Sequence, residues 1–185
     1  MPNSNSDRVA EAHSDDFTQG DSQISSAALS FQSNSAVDSD IAAMHSSRAS
    51  PSCLENGIKQ QVATDLPIRA TVDSVSVKIT AGGKANVIAI LQGTIKVSLS
   101  GEHAMLYLYR AFITGPSIEA DVSGYSLSAP FSASVMAPLV AKVANRAAQP
   151  SRTSHGAPSI KSTTPRLTRQ AHGKWLFTSF VPAIV

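Results

Sequence analysis

From Pro67 onward the chain stops scattering its apolar residues and begins to alternate them with a period of two, which points to an antiparallel sheet as its core. Ile68, Ala70 and Val72 alternate with polar neighbours, and so do Val75, Val77 and Ile79, but the phase slips at Asp73 and Ser74. A β-bulge or tight bend there would put both halves on one face. Gly82, Gly83 and Lys84 form a turn signal. The apolar run Ala85 to Gln92 fits a short buried helix or a buried strand. Thr94 to Ser100 alternates cleanly and predicts a strand, turned at Gly101. Met105 to Ile113 stays ambiguous: Met105, Leu108, Tyr109 and Phe112 fit one helical face, whereas the Tyr and Ile content favours a strand. Ile118, Ala120 and Val122 alternate, as do Tyr125 and Leu127 and, after Pro130, Phe131, Ala133 and Val135. All of these read as short antiparallel strands. Pro138 then suits a first helical turn, and Leu139, Val140, Val143, Ala144 and Ala147 make an amphipathic stripe.

The segments around this core differ in charge. Residues 1–60 hold eight acids and three bases, residues 61–121 hold five of each, and residues 122–185 hold seven bases and no acid. The chain therefore runs from −5 through zero to +7, a pattern suited to polyanionic partners such as nucleic acid, anionic lipid or an acidic protein surface. The first 60 residues contain fourteen serines and only Phe17 and Phe31 as aromatics, too little apolar surface to offset the ordering of the backbone. The resulting expectation is an α+β protein. A disordered acidic arm (1–64) precedes a small antiparallel sheet packed with one or two short helices (65–148). A basic flexible loop (149–173) and a closing strand that returns to the core (174–185) follow.

Reactive chemistry is sparse. Gly82, Gly83 and Lys84 lack the spacing of a phosphate loop, since Ala85 follows the lysine. His13, His45, His103, His155 and His172 are dispersed, and the single Cys53 excludes an internal disulfide, so no metal or other cofactor is expected. Glu119 and Asp121 would share a strand face, a geometry open to acid–base work, but they read more simply as a solvated strand edge. No enzymatic activity is expected. The N-terminus shows no apolar run after a basic stretch, and no window reaches the roughly 18 apolar residues of a membrane span, so a soluble or peripheral, intracellular protein is expected. The residues suited to touch a polyanion are Lys142, Arg146, Arg152, Lys161, Arg166, Arg169 and Lys174. Tyr107, Tyr109, Phe112, Trp175 and Phe177 are candidate core or interface anchors.

The stretch from Ile95 to Gly115 resembles the centre of rhabdovirus matrix proteins. A short strand leads to Gly101 and a few polar residues, and an aromatic-aliphatic run with the single base Arg110 then ends in Gly115. Gly173, Lys174, Trp175 and Phe177 are similar to that family's closing strand. The resemblance covers residues 67–115 and 173–181. The Lys-rich start and Pro-Pro-x-Tyr motif of animal-virus members are missing, and the small size suggests a plant-infecting member. The resemblance implies a helix over Met105–Ile113. It also implies a virion structural protein that condenses the nucleoprotein–RNA complex, self-associates and contacts an anionic membrane, with a glycoprotein tail as a further partner. It would be located in the virion and in the nucleus or cytoplasm of the host cell, peripheral at internal membranes. The rival expectation is a small basic nucleic-acid-binding viral accessory protein, a movement or silencing factor.

Overall fold

The computed structural model describes residues 8–47, 51–65, 70–83, 86–99, 101–149, 167–169 and 175–177. Four strands form a meander of hairpins: β4 (Ala70–Ala81), β5 (Val87–Leu99), β6 (Glu102–Gly115) and β7 (Ile118–Ser126). The phase slip read from the sequence is a register shift between Val72 and Ser74, which keeps Val72, Val75, Val77 and Ile79 against one hydrophobic cluster. Gly101, at φ +85°, turns β5 into β6 in a conformation that side chains disfavour.

Three further strands extend this meander: β1 (Arg8–His13), β2 (Phe17–Gln19) and β3 (Ser22–Phe31). They complete a seven-stranded antiparallel sheet of order β1-β3-β7-β6-β5-β4, in which β2 and β1 share the outer side of β3. The expected disordered arm is therefore corrected over residues 8–47 and 51–65, which also supply the helices α1 (Asn34–Ser47) and α2 (Pro51–Asp65). The physical reason lies in β3. Its Ser and Ala side chains carry little hydrophobicity, but β7 and β1 pair with its backbone on both sides, and small side chains suit a strand so enclosed. Ser33 begins α1 by accepting the Ala36 backbone N–H at 3.4 Å, and α1 buries Val37.

Met105–Ile113 lies within strand β6, not a helix. Its pattern was ambiguous because both of its faces are covered. Tyr109, Ala111 and Ile113 join one cluster, while Leu106 and Leu108 join the other. Of the run Ala85 to Gln92, Val87 to Gln92 form the start of β5, and Ala85 lies outside the described residues. On one face of the sheet, α2 packs through Leu54, Ile58 and Val62, spaced four apart, against β4 and β5. On the other, α3 (Ala133–Ala147) lies across β6 and β7 through Met136, Val140, Ala144 and Ala147. Each fully buried side chain of this size contributes about 1.5–3 kcal/mol, so the two clusters together dominate the stability.

Other expectations are corrected at the C-terminal side. The α+β expectation itself holds: α3 is the helix within residues 70–148, and α1 and α2 precede the meander. Ala133 and Val135 begin α3 instead of continuing a strand, and Pro138 sits inside the helix, beyond its first turn. Among the described residues, two short strands, β8 (Leu167–Arg169) and β9 (Trp175–Phe177), pair only with each other. Within the described residues, the closing strand thus adds to β8 and not to the large sheet, and part of the expected loop is itself a strand.

Candidate membrane- and polyanion-facing surface

Helix α3 is fixed firmly from beneath. Its inner stripe is buried, and the Asn86 side-chain amide donates to the Ala144 carbonyl at 2.7 Å. At its C-terminal end the backbone of Ala147 approaches Gly115 so closely that a Cβ there would lie 1.8 Å from the Ala147 carbonyl oxygen. At the other end, the Phe131 ring rests on Gly124. A helix held in this way presents a defined outer surface.

Val135, Leu139, Lys142 and Arg146 follow one another at spacings of four, three and four, so they line one flank of α3. Val135 is 48% exposed and Leu139 37%, and they account for two of the four exposed large hydrophobic side chains among the described residues, with Val9 and Phe17. Lys142 and Arg146 are exposed beside them, with Arg146 in the last turn, where a cation also complements the helix dipole. Two bases thus sit next to two exposed aliphatic side chains on a rigid support. That combination suits the boundary between headgroups and acyl chains. The sequence had assigned Leu139 to the buried stripe and Val135 to a strand. The signal that could have exposed the error is the 4-3-4 spacing, which joins both residues to Lys142 and Arg146.

Of the other bases singled out from the sequence, Arg169 is the last residue of β8 and stands opposite Trp175 in the β8–β9 register, while Leu167 stands opposite Phe177. Arg152, Lys161, Arg166 and Lys174 lie outside the described residues. The structure therefore brings Lys142 together with Arg146, and Arg169 into register with Trp175. Tyr109 is buried, which pushes its phenol above the ordinary value, and Tyr107 and Phe112 are half-buried.

Two polar clusters lie elsewhere. Glu119 and Asp121 do share a face, but β7 is an interior strand, and Asp121 is 7% exposed, so the solvated-edge reading of Asp121 is corrected. Its carboxylate accepts from the Arg110 guanidinium on β6, from the Ala27 N–H on β3 at 3.2 Å and from the Ser123 hydroxyl at 3.1 Å. One carboxylate thus joins three strands. Arg110 also lies 5.0 Å above the Phe112 ring.

The second cluster is on the surface at the β4 bulge, where Asp73, Ser98 and His103 meet. The Ser98 hydroxyl bonds Asp73 and approaches His103 Nδ1 at 2.8 Å, and His103 Nδ1 is 3.5 Å from the carboxylate. The Ser98 hydroxyl above all holds the Asp73 carboxyl below its ordinary value against the opposing effect of desolvation, and His103 and Thr71 add smaller lowering effects. These are the residue types of a nucleophilic triad in a different order. The acid and the imidazole both meet the hydroxyl, whereas a triad needs the acid to orient the imidazole from its far nitrogen.

Among the described residues no group of three metal-ligating side chains converges, and no helix is long and apolar enough to cross a membrane. Cys53 lies on α2. No protein family, curated protein or solved structure matches the chain.

Proposed function

We propose that this protein is a matrix-type structural protein, of the kind found in plant-infecting rhabdoviruses. It attaches to anionic membrane from one side, holds the ribonucleoprotein through its charged segments, and self-associates during virion assembly. The observation that carries the reading is the α3 flank, where exposed Val135 and Leu139 adjoin Lys142 and Arg146. Aliphatic insertion and headgroup attraction reinforce each other at such a surface, each basic residue near an anionic bilayer contributing about 1 kcal/mol. The acid-free stretch from residue 122 onward extends the positive field, and the acidic first 60 residues offer the opposite sign to a basic partner.

Flotation with anionic liposomes at rising salt tests the reading. The protein should float at low salt and retain part of its binding at high salt, because the Val135 and Leu139 contribution is not screened. Leu139→Asn should lose the salt-resistant part, and Lys142→Glu with Arg146→Glu the salt-sensitive part. If the wild-type protein stays at the bottom of the gradient at low salt, the membrane role is wrong.

A nucleic-acid-binding role has one observation in its favour, the register that sets Arg169 opposite Trp175. A basic residue and an aromatic one at paired strand positions are the residue types that track phosphates and stack on single-stranded bases. That reading requires RNA retention with a steep salt slope and indifference to lipid.

A further inference from the structure

Among the described residues, the sheet ends in two edges of different character. β1 is short, and it carries Arg8, Glu11 and His13, with Glu11 paired to both neighbours. Charged, short edges resist pairing with another chain. β4 runs for twelve residues, contains no proline, and between Ser74 and Ala81 carries only Lys78 as a charge. Beyond the bulge at Asp73, it is the kind of edge on which another strand readily adds.

Its outer side is not left open. The Val77 backbone N–H donates to the Glu55 carboxylate of α2 at 3.2 Å. An N–H that reaches a helix beyond the sheet must point away from β5, and by the period of two the N–H groups of Val75 and Ile79 point the same way. Glu55 thus occupies the middle of the row of donors that a new strand would use. Leu54, Ile58 and Val62 fix α2 on the sheet and so hold the carboxylate there.

We infer that the outer edge of β4 is a pairing surface for a second copy of this chain, and that Glu55 holds it shut by occupying the Val77 N–H. The register follows from the sequence of the edge. Two copies that pair antiparallel about Val77 set Val75 opposite Ile79 on the face that α2 covers, and Ser76 opposite Lys78 on the other. Centring the pair one residue later would set Lys78 against Lys78, which like-charge repulsion disfavours. The two sheets then join into one, with the Val77 amides bonded across the two-fold axis once both Glu55 side chains leave. This deepens the self-association within the assembly reading and rests on that reading for its role, but its test is separate.

The test is sedimentation equilibrium of the full chain over a concentration series. Glu55→Ala should lower the dimer dissociation constant at least tenfold. Glu55→Gln keeps an acceptor oxygen and should behave as wild type. In the Glu55→Ala background, Ser76→Glu should tighten the dimer by facing the second copy's Lys78, and Ser76→Lys should weaken it, the two differing at least tenfold. Should Glu55→Ala fail to fold, Glu55→Ser removes the same reach and keeps a polar helix surface. Equal association of wild type and the Glu55 variants overturns the inference, as does an equal effect of the two Ser76 changes. Liposome flotation of the same variants separates the two claims. Wild-type flotation without edge pairing overturns this inference alone, and edge pairing without flotation overturns the membrane reading alone.

Discussion

Replacing Asp121 by alanine removes the one carboxylate that joins β3, β6 and β7. The Asp121 side chain is 9% exposed and that of Arg110 17%, so water can do little to replace the lost partner. The variant also strands the Ala27 N–H and the Ser123 hydroxyl. Breaking a buried pair from one side costs about 3–5 kcal/mol, chiefly because the remaining charge stays desolvated. With a urea slope of about 2 kcal/mol per molar for a domain of this size, the unfolding midpoint should fall by about 1.5–2.5 M. Asp121→Asn retains an acceptor for Ala27 and should lose about half as much. The double variant Arg110→Met with Asp121→Leu should be less damaging than Asp121→Ala alone, since it removes both desolvated charges together. Urea unfolding followed by far-ultraviolet circular dichroism reads all three. A midpoint shift under about 0.5 M for Asp121→Ala, or a double variant worse than the single, would refute the reasoning.

Gly115→Ala should destabilise by about 3 kcal/mol, at the upper end of overpacking costs, because the new methyl collides with the Ala147 backbone and α3 must lift; a thermal melt checks this. Deleting residues 1–31 removes β1, β2 and β3 and uncovers the edge of β7, so the truncated chain should lose cooperative unfolding, whereas a dispensable arm would leave the transition intact. The Asp73 carboxyl is held below its ordinary value, so it contributes stability above the unfolded-state pKa, near 3.9. That contribution disappears as pH falls through the lower folded value. An NMR titration should place the Asp73 midpoint below that of a free carboxyl, and Ser98→Ala should raise it.

Much of β4 and β5 was legible because their exposed and buried residues alternate. The bulge at Asp73 showed as a phase slip, and Thr94 to Leu99 alternated cleanly. Legibility failed where that alternation ends. β6 buries side chains in a hydrophobic cluster on each face, so Met105–Ile113 carries apolar residues at every phase and fits either period. β3 failed for the opposite reason: its Ser and Ala residues carry no pattern, and its place in the sheet comes from the backbone partners on both sides. In the candidate site, the Lys142 and Arg146 pairing followed from helical spacing alone. The exposure of Val135 and Leu139 follows from the same spacing only once Val135 is placed on the helix, whose sheet-facing stripe Phe131, Asn86 and Gly115 anchor. Likewise nothing local to Asp121 reveals Arg110, which reaches it across a hairpin.

The most direct measurement of the central claim is an amide NMR map of the protein on anionic bicelles that carry a paramagnetic lipid. Signal loss should concentrate on α3, at Val135, Leu139, Lys142 and Arg146, and spare α2 on the opposite face of the sheet. Loss centred on α2, or α3 signals unchanged when the bicelles are bound, would contradict the account.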